Sequence, residues 1–282
     1  MLPDLRGIRG ITIRGRFRTN EWSNIKLIPD LHLGAEATNK AHIIQDLEEA
    51  KELNARIFIG GDVFDGIMTK DFKRYEPEVI DKKIRGRNDL LNATLDLGTE
   101  FLKPYAHLID GIGEGNHETA VRRHHNISLI PLLMERLQTP EHKIHFLGYK
   151  AIIQIIDLPV NQPTNSRTTR ILFFHGSGGS APVTRGAIDL YRIMSEVDGC
   201  DVVWVGHKHT RIAEPMLKYK QKDNGDIMPY ECRGVITGAY LNSIEDSYGI
   251  EKGYRPEPHG GAIFKYKHHG RCWDKKTCQI EI

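Results

Sequence analysis

Five short groups of His, Asp and Asn residues, whose side chains can ligate divalent cations, recur along this 282-residue sequence. Each group directly follows a short apolar run. The groups are Asp30 with His32, Asp62 with Asp65, Asn116 with His117, His175 alone, and His207 with His209. Taken singly, such a group is typical of a cap or a turn, because these side chains bond to nearby backbone. Their repeated position after apolar runs instead favours one shared site.

The apolar runs have the length and composition of buried strands. Those that end at the polar groups are residues 25–28, 56–59, 107–112, 171–174 and 202–205. Helical spacing of apolar residues predicts helices at 40–53, at 90–102, from near Val121, and at 188–197. Later segments are strand-like, including 233–237 and 262–266. This alternation predicts an α/β fold, in which sites form at the carboxyl ends of the strands.

The ligand types indicate which ions the site would take. Carboxylate, imidazole and amide oxygen without thiolate suit Mn²⁺, Fe, Zn²⁺ or Ni²⁺. A carboxylate such as Asp62 can bridge two cations about 3.5–4 Å apart, because each of its oxygens faces one of them. We therefore expect two divalent metal ions held side by side, an arrangement that hydrolyses phosphate esters.

As an ordered set, the five groups resemble the signature of the calcineurin-like metallophosphoesterase superfamily, which runs D-x-H, G-D-x-x-D, G-N-H-[DE], H and G-H-x-H. The matching residues are Asp30-Leu31-His32, Gly61-Asp62-Val63-Phe64-Asp65, Gly115-Asn116-His117-Glu118, His175 with Gly176, and Gly206-His207-Lys208-His209. The resemblance covers residues 25–209, and residues 233–266 also look like the closing strands of phage-type members.

The resemblance implies the fold and the roles of individual residues. It implies one domain over residues 1–282, with two mixed β-sheets packed as a sandwich and flanked by helices. One metal would be held by Asp30, His32, Asp62 and His209, and the other by Asp62, Asn116, His175 and His207. His117 would be the general acid that faces the leaving group, oriented by Asp65. The cofactors would be two divalent ions, with Mn²⁺ preferred and Fe, Zn or Ni as alternatives.

The expected reaction is attack by a hydroxide that bridges the two metals, without a covalent intermediate. Two departures from relatives bear on the substrate. Ser/Thr protein phosphatases continue G-D-x-x-D with Arg-Gly, whereas here Gly66 and Ile67 follow Asp65, so a protein phosphatase is disfavoured. Lys208 stands where many relatives have Thr and places a positive charge between two predicted ligands.

Two basic segments near the predicted site favour a nucleotide or nucleic-acid phosphodiester as substrate. Arg122 and Arg123 follow the G-N-H-E turn, and four cations lie in a charged insertion at about 68–88 that is predicted to be a lid, namely Lys82, Lys83, Arg85 and Arg87. Both segments are equally compatible with solvated faces. A phosphomonoesterase is the alternative within the same chemistry, and a non-catalytic scaffold of this superfamily is the alternative from another class. The scaffold is disfavoured because every ligand and His117 are present.

Composition excludes some classes of partner. Lys and Arg total 39 against 37 for Asp and Glu, a formal net charge of +2, which does not indicate wholesale binding to nucleic acid or to a membrane surface. No stretch approaches the roughly 20 apolar residues that span a bilayer. Four cysteines are too few for a disulfide framework in a chain of this length. We therefore expect a cytoplasmic protein without a membrane partner.

Overall fold

The fold comprises two six-stranded β-sheets and five α-helices in the part of the chain that the computed structural model describes, residues 7–66, 77–160, 166–179, 181, 183–221, 223–242, 257–269 and 276–282. The strands are β1 (Arg9–Phe17), β2 (Ser23–Ile28), β3 (Arg56–Ile59), β4 (Ile109–Gly113), β5 (His145–Gly148), β6 (Lys150–Pro159), β7 (Arg167–Phe174), β8 (Val202–Val205), β9 (Ile212–Gln221), β10 (Ile227–Ile236), β11 (Ala262–His268) and β12 (Lys276–Glu281). The helices are α1 (Lys40–Glu52), α2 (Leu90–Leu102), α3 (Asn116–His125), α4 (Leu129–Leu137) and α5 (Ala187–Glu196). None of these helices is both long and apolar enough to cross a membrane.

Both sheets contain parallel and antiparallel pairs. The first sheet has the order β1-β6-β7-β8-β10-β9, in which β7, β8 and β10 are parallel to one another. The second has the order β12-β11-β2-β3-β4-β5, in which β2 to β5 are parallel. Parallel strands of one sheet place their carboxyl ends at the same edge, so each sheet collects the residues that follow its strands.

The two sheets pack face to face, with helices on the outer faces. The core between the sheets includes Phe58 and Phe264 from one sheet and Phe173 and Trp204 from the other. Helices α1 to α4 bury their apolar residues on the outer face of the second sheet, and α5 covers the first. The predicted sandwich of mixed sheets flanked by helices is confirmed.

Several predicted boundaries are wrong: β7 begins at Arg167 rather than at 171 and β10 at Ile227 rather than at 233, and two further errors concern the approach to the candidate site. The strand predicted from residue 107 begins at Ile109, because Lys103–Leu108 form a 3₁₀-helix. The helix predicted from near Val121 begins at Asn116. There the Glu118 carboxylate accepts a hydrogen bond from the Gly115 N–H at 2.9 Å, so the first turn is stabilised by its own motif residue.

The charged insertion predicted at about 68–88 lies partly outside the described residues, which resume at Pro77. In the described part, Ile80 and Ile84 are buried and pack with residues of α2. Its cations have partners within the protein: Lys82 pairs with Glu36, Lys83 with Glu100 and Arg87 with Asp89, while Arg85 donates to the carbonyls of Glu78 and Ile80. This half of the insertion is therefore packed onto the domain.

Candidate metal centre

Both sheets deliver polar side chains to one end of the sandwich. Strands β2, β3 and β4 lead to three of the sequence groups, those at residues 30–32, 62–65 and 116–117, and strands β7 and β8 lead to His175 and to the group at 207–209. The two sets meet directly, because His175 Nε2 lies 3.1 Å from Asn116 Oδ1 across the sandwich. All seven predicted ligands therefore lie in one region.

The first cluster comprises Asp30, His32 and His209, whose ligand atoms lie within 4.8 Å of one another. His209 Nε2 is 3.3 Å from Asp30 Oδ2 and 3.3 Å from His32 Nε2. The carboxylate Oδ1 of Asp65 lies 3.2 Å from His32 Nδ1 and accepts its proton. His32 Nε2 is then a lone-pair donor that faces the cluster, as a metal-ligating imidazole requires.

The second cluster comprises Asp62, His175 and His207, again with ligand atoms within 4.8 Å. His175 Nδ1 donates to the Gly60 carbonyl at 2.8 Å, which leaves Nε2 to face Asp62 Oδ2 at 3.3 Å and Asn116 Oδ1 at 3.1 Å. With one proton on His175, its Nε2 is an acceptor like the Asp62 and Asn116 oxygens that it faces. These three atoms can form hydrogen bonds with one another only if His175 takes a second proton.

The electrostatics of the two clusters favour a cation. Burial opposes protonation of His175, but the carboxylates of Asp62 and Asp30 outweigh it and raise its pKa to about 10. Burial lowers the pKa of His32, and burial together with His175 lowers that of His207 to about 4, so both are neutral imidazoles at physiological pH. A divalent cation would balance the negative charge of Asp62 and Asp30 in place of the second proton on His175.

A buried oxygen of Asp30 is a second indication that the first cluster could hold a cation. Asp30 is fully buried, and its Oδ2 accepts a hydrogen bond from the His207 N–H at 2.9 Å. Its Oδ1 has no hydrogen-bond partner among the described residues. An unpaired buried carboxylate oxygen costs several kcal/mol, and a cation bound at the first cluster would supply the missing charge. The donor set of carboxylates, neutral imidazoles and an amide oxygen fits the metals expected from the sequence.

His117, the predicted general acid, lies beside both clusters. Its Nδ1 donates to the main-chain carbonyl of Asp65 at 2.6 Å, while Asp65 Oδ1 is 3.5 Å away. Its ring meets that of His32 edge-on at 4.8 Å. Asp65 therefore contacts His117 chiefly through its backbone and directs its carboxylate to His32, a division that the motif does not predict. His117, His32 and Asp65 also form a third group of potential ligand atoms within 4.8 Å.

The backbone that carries the ligands adopts a conformation that few L-residues adopt. Among the described residues, eight other than glycine have positive φ, and half of them are predicted ligands, namely His32, Asp62, His207 and His209. Such conformations cost on the order of 1–3 kcal/mol each and persist where the surroundings enforce them. Their concentration here sets this region apart from ordinary turns.

Glu118 helps to enforce that conformation, a role that the sequence analysis did not assign. The side chain is fully buried and accepts hydrogen bonds from the N–H groups of Asp62 at 3.1 Å and Phe64 at 2.9 Å. Burial, with the nearby Asp62 carboxylate, raises the pKa of Glu118 to about 7. The carboxyl group ties the loop after β3 to the first turn of α3. Its position three residues after Gly115 is the only signal in the sequence.

The two arginines predicted to bind substrate have different surroundings. Arg122 pairs with Glu114, its Nη2 lying 2.9 Å from Glu114 Oε2 and its Nε 3.3 Å from Oε1. Arg123 is exposed and lies in α3, and its guanidinium opposes the rise in the pKa of the Tyr149 hydroxyl that burial, Asp62 and Asp30 cause. Tyr149 in turn packs edge-on against His175 at 5.1 Å. Arg123 therefore shares a helix with the candidate ligand Asn116, and substrate binding by either arginine stays a prediction.

Comparisons with known proteins add little to this geometry. No family model matches the chain, and no curated protein matches it. Among solved structures, the chain is similar to the crystal structure of the calcineurin-like phosphoesterase YfkN from Bacillus subtilis, with 11% sequence identity and a TM-score of 0.31 over 93% of this chain and 91% of that chain. At this TM-score the likeness carries no weight, and the interpretation of the site depends on its own residues.

Proposed function

We propose that the chain is a metal-dependent phosphoesterase of the calcineurin-like superfamily that uses two divalent ions, preferably Mn²⁺, to hydrolyse a phosphodiester of a nucleotide or nucleic acid. The observation that carries this proposal is the convergence of carboxylate, imidazole and amide ligand atoms in two adjacent clusters. The ordered sequence motif supports the same function.

The proposed roles follow from what each side chain faces. Asp30, His32 and His209 would hold one ion, and Asn116, His175 and His207 the other, with Asp62 shared between them. When bound, the two cations supply positive charge that lowers the pKa of an attacking water and neutralises the phosphoryl oxygens. The protein orients the imidazoles through their second nitrogens, as Asp65 does for His32 and the Gly60 carbonyl does for His175.

His117 is the proposed source of the proton for the leaving group. Because its Nδ1 proton is given to the Asp65 carbonyl, Nε2 is the atom that would carry the transferred proton. Nε2 lies 3.9 Å from Asp62 Oδ2, and 17% of the side chain is exposed, so it borders both the clusters and the solvent from which substrate enters. A general acid in this position contributes about 10²–10⁴-fold to the rate.

The preference for a diester rests on the charges that border the clusters. Arg123 is an exposed cation in α3, the helix that begins at the candidate ligand Asn116, whereas the described cations of the insertion and Arg122 are engaged within the protein. A substrate with phosphate groups beyond the one that is cleaved would use Arg123. A nucleic-acid strand carries such groups at every linkage, whereas a simple monoester such as p-nitrophenyl phosphate carries none and would gain less.

Metal binding and turnover test the proposal together. Protein depleted of metal by chelation is dialysed against Mn²⁺, and bound metal is measured beside hydrolysis of bis-p-nitrophenyl phosphate and p-nitrophenyl phosphate. We expect two ions per chain, activity only with metal, and faster cleavage of the diester. Faster cleavage of the monoester would favour the phosphomonoesterase, and bound metal without hydrolysis of any ester would favour the scaffold.

A further inference from the structure

The loop that follows ligand His175 has its carbonyl groups fixed by side chains. Tyr149 Oη donates to the Gly176 carbonyl at 2.8 Å. The Lys208 ammonium donates to the next three carbonyls, at 2.7 Å to Ser177, 3.1 Å to Gly178 and 3.1 Å to Gly179, and lies 2.8 Å from an Asp189 oxygen. Four consecutive carbonyls are therefore held toward the interior of the protein.

The fixed carbonyls determine where the amide hydrogens of this loop point. The peptide bonds of the described residues are trans, and in a trans peptide the C=O and the following N–H point in opposite directions. The N–H groups of Ser177, Gly178 and Gly179 are therefore directed away from Tyr149 and Lys208. In the described part of the chain these three N–H groups have no acceptor.

The outward side of the loop is open. Ser177, Gly178 and Gly179 are exposed, and a Cβ atom built on either glycine would meet nothing within 4 Å. Gly178 has φ +66°, so the chain turns in a way that groups successive N–H hydrogens on one side, an arrangement that makes concave anion sites in proteins. The loop thus presents a row of partial positive charges to solvent.

The loop is tied to the metal ligands at its start. Gly176 has φ +105°, and a Cβ atom there would lie 2.7 Å from the Gly206 carbonyl oxygen and 2.9 Å from the His207 Cβ. Only glycine allows this approach of the loop to the turn that carries His207 and His209. Lys208, between those two ligands, is buried and holds the rest of the loop. The residue that departs from the family pattern therefore fixes the loop to the candidate centre.

We propose that the Ser177–Gly179 amides bind a phosphate group of the substrate other than the one that is cleaved. The inference rests on the proposed function and names its substrate class, a phosphate ester with at least one further phosphate nearby. Arg123, exposed in the helix that begins at the candidate ligand Asn116, supplies a full positive charge at this end of the sandwich. The amides supply direction and Arg123 supplies charge, as in other phosphate sites.

Amide chemical shifts of the chelated protein test the binding site without any need for turnover. In ¹⁵N-labelled wild-type protein titrated with inorganic pyrophosphate, the signals of Ser177, Gly178 and Gly179 are expected to move downfield together and to saturate. Shifts confined to other residues, or no saturable shift in these three, would overturn the proposal. No variant is required, so a folding defect does not confuse the result.

A matched pair of variants tests the role in substrate selection. Gly179→Pro removes one amide hydrogen, whereas Gly179→Ala keeps it and places a methyl group in open space. Gly179 does not have positive φ, so neither substitution places a side chain in the left-handed region. The substrates are a dinucleoside monophosphate with and without a 5′-phosphate, and the readout is the ratio of their kcat/KM values.

The ratio is expected to favour the 5′-phosphorylated substrate in wild-type protein and in the Ala variant, and to fall about tenfold in the Pro variant, the loss of one charge-assisted hydrogen bond. Equal ratios in the Pro and Ala variants would refute the proposed amide site while leaving the phosphoesterase proposal intact. Failure of wild-type protein to cleave either substrate with any metal would instead count against the phosphoesterase proposal, and the pyrophosphate titration would still decide the amide site.

Discussion

Asp30 and Asp62 at one end of the sandwich, and Asp110 and Asp157 at the other, are buried carboxylates with contrasting partners. At the far end, Asp157 accepts a hydrogen bond from the Tyr266 hydroxyl at 2.7 Å, and Asp110 accepts one from the Arg56 guanidinium. At the candidate centre the neighbours of the carboxylates are imidazoles, and those of His32 and His175 have their other nitrogen bonded to the Asp65 carboxylate and the Gly60 carbonyl.

The difference shows how burial alone fails to identify a site. A buried carboxylate is tolerated when donors from the same chain satisfy it, as at the far end, where the charges cancel internally. At the candidate centre, main-chain N–H groups satisfy one oxygen each of Asp30 and Asp62, the other near neighbours of these carboxylates are imidazoles, and Asp30 Oδ1 has no hydrogen-bond partner among the described residues. The first arrangement is complete within the chain, whereas the second has the ligand atoms that could hold a metal ion.

The largest expected effect is that of Asp62→Asn at the candidate centre. The amide lacks the charge that would bridge two cations, so we expect loss of at least one ion per chain and a fall in kcat/KM of more than about 10²-fold. Metal analysis and thermal unfolding with added Mn²⁺ check it, because an ion that binds only the folded state raises Tm. A variant that keeps two ions and most of its rate would show that Asp62 is not the bridge.

The second prediction separates proton transfer from metal binding within the same region. His117→Ala is expected to keep both ions and to lose about 10²–10⁴-fold on diesters with poor leaving groups. The loss should shrink on bis-p-nitrophenyl phosphate, since p-nitrophenolate leaves without a proton. Equal losses on both kinds of ester would contradict the acid role. Loss of metal would indicate that His117 is itself a metal ligand.

A smaller effect is expected from Glu118→Gln, which alters the support of the centre but none of its ligands. The amide oxygen of Gln can accept only part of the three backbone hydrogen bonds that Glu118 receives, from Asp62, Phe64 and Gly115. We expect Mn²⁺ affinity to fall about 10–100-fold, as for other residues that orient ligands. Isothermal titration of the chelated protein measures it, and an unchanged affinity would mean that the loop holds its shape without this carboxylate.

The smallest effect on metal binding is expected at the far end of the sandwich. Asp157→Asn weakens the hydrogen bond from Tyr266 and should lower the free energy of unfolding by about 1–3 kcal/mol. Urea unfolding of the chelated protein measures this change. We expect the same number of bound ions as in wild-type protein, so this variant is also the control for Asp62→Asn. Loss of metal from Asp157→Asn would show that the far end of the sandwich also affects metal binding.

The sequence predicts the positions of the ligands better than the way they are supported. Because each polar group directly follows a buried run, strand periodicity was enough to place Asp30, Asp62 and His175 at strand exits. The pairing of two sheets into a sandwich came from the family resemblance, since periodicity cannot tell which strands share a sheet. The start of α3 at Asn116 was missed because Glu118 stabilises that turn through contacts 54 and 56 residues away in sequence.

Lys208 and Tyr149 illustrate a second kind of limit. The position of Lys208 between two candidate histidine ligands does not predict that its ammonium donates hydrogen bonds to three carbonyls about 30 residues earlier. Tyr149 lies in no motif, and only the adjacency of β6 and β7 places it against His175. Such contacts depend on tertiary packing, so neither composition nor spacing predicts them.

The positive φ angles of four candidate ligands have a consequence for the order of folding and binding. An unfolded chain rarely places His32, Asp62, His207 and His209 in the left-handed region together, so it cannot assemble these donors. Folding of the domain supplies the free energy that these strained backbone conformations cost. The candidate ligands are then already in place when a metal ion binds. The chain should therefore refold fully in the presence of a chelator, unlike small zinc domains that fold only around their metal.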